Sequence, residues 1–333
     1  MNAAVQPRVS VVIPCYNLGQ YLDEAVSSVT AQTFQDFEIL IVDDGSTDAA
    51  TQTVLAGYPR PKTRVIRAAH AGLATARNLG ISQAAGRYLC ALDADDALEP
   101  TFLEKMIRVL DDDPSLTFSS CWLRTFGDET WDWTPERCDL PTLLWEDTVL
   151  TAALVRREAV ESVGGYDTSM PEQGDEDWDL WLTLVERGHR GAILPEALFN
   201  YRRRAGSMST VCWYGTGHLP LLRYRVAKHQ QTYERYSVDV LLRQDDATAA
   251  LLRHNDRLER HIASDLEPAV NLRREELIAL QARLAASSRS GDLEAALRAT
   301  SDEVEALRAS MSWRITAPLR SMYGWWLNWR APR

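Results

Sequence analysis

Residues Arg87–Pro100 read RYLCALDADDALEP. The apolar run Tyr88-Leu89-Cys90-Ala91-Leu92 has the length and bounds of a buried strand, and it stops at Asp93, Asp95 and Asp96. Acids crowded at one strand end repel one another unless water, a cation or hydrogen-bond donors compensate them. Two readings follow. One is a solvated acidic turn ahead of a helix starting near Pro100, since Asp also caps helices well. The sharper one is a divalent-metal site facing a phosphate ligand, because Mg²⁺ or Mn²⁺ takes one or two carboxylates and completes its shell with phosphate oxygens. Asp93 and Asp95, in D-x-D spacing, suit that role, and Asp96 reads as a helix-leading acid.

Upstream, Val9-Ser10-Val11-Val12-Ile13 reads as a buried strand ended by Pro14, which cannot donate to a ladder. A helix carrying Leu22, Val26 and Val29 on one side follows it. Phe37-Glu38-Ile39-Leu40-Ile41-Val42 is a second strand, ending in Asp43 and Asp44, and Gly45-Ser46-Thr47-Asp48 supplies turn and cap chemistry. Arg64–Arg67 is a short third strand, and Ala74–Ala85 a helix stopped by Gly86. Strands alternating with helices at short separations predict a parallel sheet of right-handed crossovers. Ligands of such sheets gather beyond the carboxyl ends of the strands, so both acid pairs should share one edge.

Downstream, a helix with Phe102, Leu103, Met106, Val109 and Leu110 leads to a strand over Leu116–Trp122. Thr125–Asp147, rich in Trp, acids and turn residues, reads as a variable loop region. Gly164-Gly165-Tyr166-Asp167 is a turn, and Gly174-Asp175-Glu176-Asp177 opens an amphipathic helix, Trp178–Arg187, closed by Gly188. From about Gly217 the chain turns Arg/Glu/Leu/Ala-rich. Leu277, Leu280 and Leu284, then Leu293, Leu297, Val304, Leu307 and Met311, fit either short coiled-coil seams, and so a homo-oligomer, or ordinary packed helices. The tail after Met311 carries Trp313, Trp325, Trp326 and Trp329 with several arginines and no acid. Such a tail suits either a membrane interface or a protein surface. The expected division is 1–215, 216–311 and 312–333.

The 333 residues include 45% hydrophobic and 25% charged side chains, enough for a substantial core. A net charge of −11 argues against a general nucleic-acid binder. Cys15, Cys90, Cys121, Cys138 and Cys212 are scattered with no CxxC pair, which fits a reduced cytoplasmic setting and argues against zinc. The N-terminus lacks the long apolar core of a signal peptide, and no stretch of about twenty apolar residues predicts a spanning helix.

Five stretches, VSVVIPCYN, EILIVDDGSTD, GLATARNLGISQAAGRYLCALDADD, GGYD and EDWDLWLTL, resemble in order and separation the inverting family-2 glycosyltransferases. The resemblance covers roughly Val9–Ser209. It implies a GT-A fold, an α/β architecture with a Rossmann-like, mostly parallel sheet flanked by helices, followed here by a helical extension. It also implies a nucleotide-sugar donor, a divalent metal and an acceptor hydroxyl on a glycan or lipid-linked glycan. The setting would be bacterial surface polysaccharide synthesis, in the cytoplasm or peripheral to the inner face of the plasma membrane.

Residue by residue, Pro14 and Tyr16 match the loop beside the nucleotide base. Asp43 matches the acid that accepts a base N–H, and Asp44 would fix that loop. Arg77 matches the basic residue near the nucleotide, with a plain surface arginine as the alternative. Asp93 corresponds to the acid directed at the ribose and the metal's water, and Asp95 to the metal ligand. Asp177 corresponds to the general base, with Glu176 second; Trp178, Trp181 and Leu182 would bury and leave both acids facing the cleft. Many relatives carry a His after the pair matching Tyr201-Arg202, whereas this chain has Arg203, Arg204, Ala205, Gly206 and Ser207 there. Its guanidinium groups would clamp a diphosphate directly. Three other readings are a sugar-nucleotide pyrophosphorylase, a polyprenyl-phosphate sugar synthase, and a silent binding or scaffold protein. The first lacks its Gly-rich phosphate loop in VVIPCYNLG. Asp177 argues against the second, and retention of the expected acids against the third.

Overall fold

A computed structural model describes residues 6–58, 60–204, 218–261, 263–264, 267–286, 295, 298–303 and 305–306. In chain order the elements begin β1 (Val9–Cys15), α1 (Gly19–Thr30), β2 (Phe37–Asp43), α2 (Ala49–Ala56), β3 (Thr63–Arg67) and α3 (Leu73–Ser82). The acid-bearing stretch forms β4 (Tyr88–Ala91) and a two-residue β5 (Ala97–Leu98), followed by α4 (Phe102–Asp112). Next come β6 (Phe118–Gly127), β7 (Asp132–Trp133), α5 (Leu140–Leu143), β8 (Leu154–Arg156), α6 (Arg157–Val163), α7 (Glu176–Glu186) and β9 (Gly191–Arg203). The helices α8 (His218–Lys228), α9 (Gln230–Arg235), α10 (Ser237–His261) and α11 (Glu267–Ala286) complete the described chain.

Among the described residues the strands form one sheet in the order β3-β2-β1-β4-β8-β6-β9-β5, with β7 beside β6. β3, β2, β1 and β4 are parallel throughout, as expected. Beyond β4 the sheet is mixed: β8 runs antiparallel to both β4 and β6, β9 is parallel to β6, and β5 is antiparallel to β9. This α/β arrangement is a GT-A fold with a helical C-terminal region. The stretch expected to be irregular from Thr125 is partly built: β6 runs on to Gly127, β7 returns beside it, and Asp139 caps α5 by accepting from Thr142 N–H at 2.9 Å.

The apolar strands are buried on both faces, so each face holds its own core. Val9, Val11 and Ile13 pack with α1 and α4 on one side. Val12, Leu40 and Val42 pack with α3, α6 and α7 on the other. On α4, Phe102, Leu103, Met106, Ile107 and Leu110 are buried, each contributing about 1.5–3 kcal/mol. Helix α3 lies close on the sheet because residue 80 is glycine; a Cβ there would stand 2.3 Å from a Val12 methyl. That close seat carries Arg77, one turn earlier, into the interior.

The first compact unit runs through Leu241, and the second begins at Leu242. Helices α8 and α9 fall within the first unit. Tyr233 and Tyr236 pack on the α7 side of the core, and the Tyr233 hydroxyl donates to the Leu144 carbonyl at 2.9 Å. In the second unit, Arg273 pairs with Glu276 at 2.6 Å and Glu303 at 2.8 Å. The side chains of Leu280 and Leu284, the residues Leu293, Leu297, Val304, Leu307 and Met311, and the Trp-rich tail lie outside the described residues. Among the described residues no helix is long and apolar enough to cross a membrane.

Candidate active site

The parallel register brings Cys15 opposite Asp43 and Asp43 opposite Arg67. The loops after β1, β2, β3 and β4 therefore open on one edge, where a cavity of about 570 Å³ lies. Pro14, Tyr16, Asp44, Asp93, Asp95 and Arg204 are among its lining residues.

Two loops of this edge are stitched together by Asn17. It adopts a left-handed φ of 56°, which Asn tolerates, and its Oδ1 accepts from Thr47 N–H at 2.8 Å and Asp48 N–H at 3.1 Å. Gly45, at φ 71°, allows the next turn; a Cβ there would stand 2.6 Å from the His70 nitrogen. The two acids after β2 then diverge. Asp43 is buried, and its Oδ1 accepts from Ser46 N–H at 2.9 Å within the turn. Asp44 reaches the cavity and holds the next loop, accepting from Ala71 N–H at 2.9 Å and Gly72 N–H at 3.0 Å. His70, whose Nδ1 is 2.9 Å from Asp44 Oδ2, stacks on Tyr16 with ring centroids 4.1 Å apart. No motif flagged His70; its place follows from the loop after β3.

The acids of the opening stretch each meet a different partner. Arg77 donates from Nη2 to Asp93 Oδ1 at 2.8 Å. It is 2% exposed, so it is not a surface arginine, and it is not among the residues lining the large cavity. Its guanidinium lies 5.2 Å from the Tyr166 ring centroid, and its Nε has no partner among the described residues. Burial works against its charge, but the neighbouring acids, Asp93 foremost, hold it above the ordinary arginine value. Asp95 Oδ2 accepts from Arg204 Nε at 2.9 Å. Burial and then Asp93 raise the Asp95 carboxyl, and Arg204 opposes both.

Asp96 does not lead a helix. It is 2% exposed, precedes β5, and its Oδ1 accepts from Arg202 N–H on β9 at 2.8 Å. Burial pushes it well above the usual carboxylate range, and Asp95 and Asp93 add to that. Alternation along β9 sorts the arginine run. Arg202 and Arg204 line the cavity, while Arg203 pairs with Glu129 at 3.6 Å. Arg202 also donates to the Asp95 carbonyl at 2.8 Å and covers the Tyr21 and Phe126 rings. Residues 205–207 lie outside the described residues.

On α7, Trp178, Trp181 and Leu182 are buried as expected. So are Asp175, Glu176 and Asp179, at 5%, 3% and 2% exposure, which the amphipathic pattern did not indicate. Asp177 is half-buried and accepts from the Thr151 hydroxyl and from Trp178 N–H at 2.9 Å. It is not among the residues lining the large cavity. Glu176 instead lines a second cavity of about 230 Å³, which shares Leu73, Glu172 and Gln173 with the first. Its Oε2 accepts from Gly174 N–H at 2.9 Å, and its Oε1 has no partner among the described residues. Burial raises its carboxyl; Arg77 opposes this and Asp177 reinforces it. Asp147, from the stretch read as variable loop, is raised well above the normal range by burial and then by Asp177. Thr151 and Asp147 carried no sequence signal of this neighbourhood.

Solved structures share this fold. The mannosyltransferase PcManGT from Pyrobaculum calidifontis, in complex with GDP-Man and Mn²⁺, superposes with a TM-score of 0.54 at 19% identity, over 94% of this chain and 87% of that one. TarS of S. aureus, in complex with UDP-GlcNAc, gives 0.51 at 21% identity over 60% of each chain. In sequence, residues 10–165 match Glycosyl transferase family 2. YibD, an uncharacterized glycosyltransferase of Escherichia coli K12, is 37% identical over 135 residues, which cover 38% of each protein. TuaG of Bacillus subtilis strain 168, a glycosyltransferase named for teichuronic acid biosynthesis, is 31% identical over 218 residues, covering 62% of this chain and 84% of TuaG. With that extent of TuaG matched, and with the acids and loops of the motifs converging on one sheet edge, the chain belongs to glycosyltransferase family 2.

Proposed function

We propose that the protein transfers a sugar, with inversion, from a nucleoside-diphosphate donor to a hydroxyl of a glycan or lipid-linked glycan during surface polysaccharide assembly. The observation that carries this is the 570 Å³ cavity at the strand ends, with a stacked aromatic pair on one side and the Asp93–Asp95 pair facing Arg204 on the other. The neighbours solved with UDP-GlcNAc and with GDP-Man support a nucleotide sugar as the donor class, and TuaG's name supports the polysaccharide setting.

Tyr16 and His70 offer a planar surface to the base, with Asp44 and Asp43 fixing the loop that presents it. Arg204 and Arg202 face the diphosphate, where a guanidinium fork suits phosphate oxygens. Among the described residues no three His, Cys, Asp or Glu side chains converge as a closed metal cage. The Asp93 and Asp95 donor set fits a cation shared with substrate phosphates, because Mg²⁺ needs only one or two protein carboxylates. The crowding that raises Asp95 is what such a cation relieves. Asp95, with Asp93 beside it, would hold a divalent ion, whose chemistry would be charge neutralisation at the diphosphate. Arg77 orients Asp93 from behind. Asp177 takes the acceptor proton, with Thr151 holding one carboxylate oxygen. A second reading gives that step to Glu176, on the strength of its unpartnered Oε1 beside the smaller cavity.

A panel of nucleotide sugars assayed for nucleoside-diphosphate release, with Mn²⁺, Mg²⁺ or excess chelator, tests the proposal. Release from at least one donor, abolished by chelator, is expected. Undiminished turnover in chelator removes the metal, and no release from any donor removes the transferase reading.

A further inference from the structure

Helix α7 opens with the acids Asp175, Glu176, Asp177 and Asp179 on about one turn. Burying several carboxylates so close together is costly unless each finds a charged or donating partner. The partners come from α8 and the residue after it, beyond the segment that matches the family. Arg225, 1% exposed, donates to Asp175 Oδ2 and lays its guanidinium 3.3 Å from the Trp178 ring centroid. Lys228 Nζ donates to Asp179 Oδ2 at 2.7 Å and to Asp167 Oδ2 at 2.6 Å. His229, 4% exposed, places Nε2 3.0 Å from Asp179 Oδ1 and Nδ1 2.6 Å from Glu186 Oε2. The Tyr224 hydroxyl donates to Asp167 Oδ2 at 3.0 Å.

The acids divide by face. Asp175 and Asp179 are four residues apart, so they stack on one side of the helix, and α8 occupies that side. Asp175 stands at the N-cap position yet caps no backbone N–H with its side chain; it is held by Arg225. Among the described residues Glu176 and Asp177 make no ion pair with α8; Glu176 turns to Gly174 and the smaller cavity, and Asp177 to Thr151.

We propose that Arg225, Lys228 and His229 are positioning residues for sugar transfer: by gripping Asp175, Asp179 and Glu186 they fix the rotation of α7 about its axis and so aim Glu176 and Asp177. The proposal rests on one of those two acids being the base. An error of about 1 Å in aim costs on the order of 100-fold in rate, so the grip matters even though none of the three touches substrate.

The test uses the full chain with Arg225→Ala, Arg225→Lys and Lys228→Met, the last at a half-exposed position whose acids keep other partners. Hydrogen exchange of the α7 amides is measured beside kcat, the donor KM and the melting temperature. For Arg225→Ala, exchange at 176–180 rises by about tenfold and kcat falls by about tenfold or more, while donor KM stays within about twofold. Arg225→Lys recovers part of kcat, and Lys228→Met shows the same split at smaller size. Unchanged exchange overturns the proposal. So does a kcat loss no greater than the loss of folded protein, or a donor KM that rises in step. Should Arg225→Ala fail to fold, the other two variants carry the same readouts. Should the unsubstituted chain turn over no donor, the base reading falls while the exchange comparison still decides whether α8 grips α7.

Discussion

The chain has two dense acid clusters, Asp93-Ala94-Asp95-Asp96 after β4 and Asp175-Glu176-Asp177-Trp178-Asp179 at the start of α7, and they are compensated in opposite ways. At the sheet edge the acids meet partners from α3, from β9 and from Arg204 just after it, and Asp93 and Asp95 still line an open cavity. At the start of α7, two acids are consumed by cationic side chains of α8 and His229, and two are left to other contacts. The first cluster leaves two of its acids at an open cavity, where the proposed function puts a ligand, and the second has two acids held in ion pairs. Acid density alone therefore says nothing about function; what matters is which element supplies the counter-charge, and whether it does so completely.

The largest expected effect sharpens this division within α7. Asp177→Asn should lower transfer by on the order of 10³-fold with donor binding retained, whereas Glu176→Gln should cost far less. The reverse ranking, measured as kcat alongside calorimetric donor affinity, moves the base to Glu176. Next, Arg77→Met should destabilise the protein by about 3 kcal/mol in urea unfolding, because it leaves Asp93 facing an apolar side chain. A negligible change would mean that the edge cluster does not depend on its buried partner.

The third prediction concerns pH. His229 is raised above its ordinary value: burial works against its charge, and Asp179 and Glu186 outweigh burial. Its contribution is therefore complete below about pH 6.5 and is lost as pH rises through the raised folded value. Glu186 is held below its normal value by His229 despite burial, so its own contribution is lost only at acid pH. Melting temperature should fall on the alkaline side in the unsubstituted protein, and His229→Gln should flatten that limb. The smallest effect is at the cavity rim, where His70→Ala removes the stack on Tyr16 and should weaken nucleotide binding by about fivefold, or roughly 1 kcal/mol.

Strand identity was legible because β1, β2 and β4 are runs buried on both faces, with acids at the ends of β2 and β4; Pro14, expected to end β1, instead lies within it opposite Val42. Convergence of the acid pairs followed from parallel crossovers alone. Asp96 was misread for a physical reason: its local setting, ahead of Pro100 and a helix, is that of a leading acid, and its true partner, the Arg202 amide, is 106 residues away. The same holds for α8. Its Arg/Leu pattern resembles the extension that follows, while partners such as Asp175, 50 residues earlier than Arg225, tie it to the first unit. Asp147 and Thr151 sit in irregular chain, where periodicity carries no information about neighbours.

The two-residue strand β5 pairs with β9, at Phe199 and Asn200, and the turn holding Asp95 and Asp96 is closed by Arg202 and Arg204. On a ribosome adding about 5–20 residues per second, the first four strands are complete many seconds before those closing residues emerge. Asp93 already has Arg77, but the nascent chain carries Asp95 and Asp96 without these partners for a long interval. Early pause sites, magnesium concentration and chaperone capture during synthesis should bear on the yield of this protein through that edge.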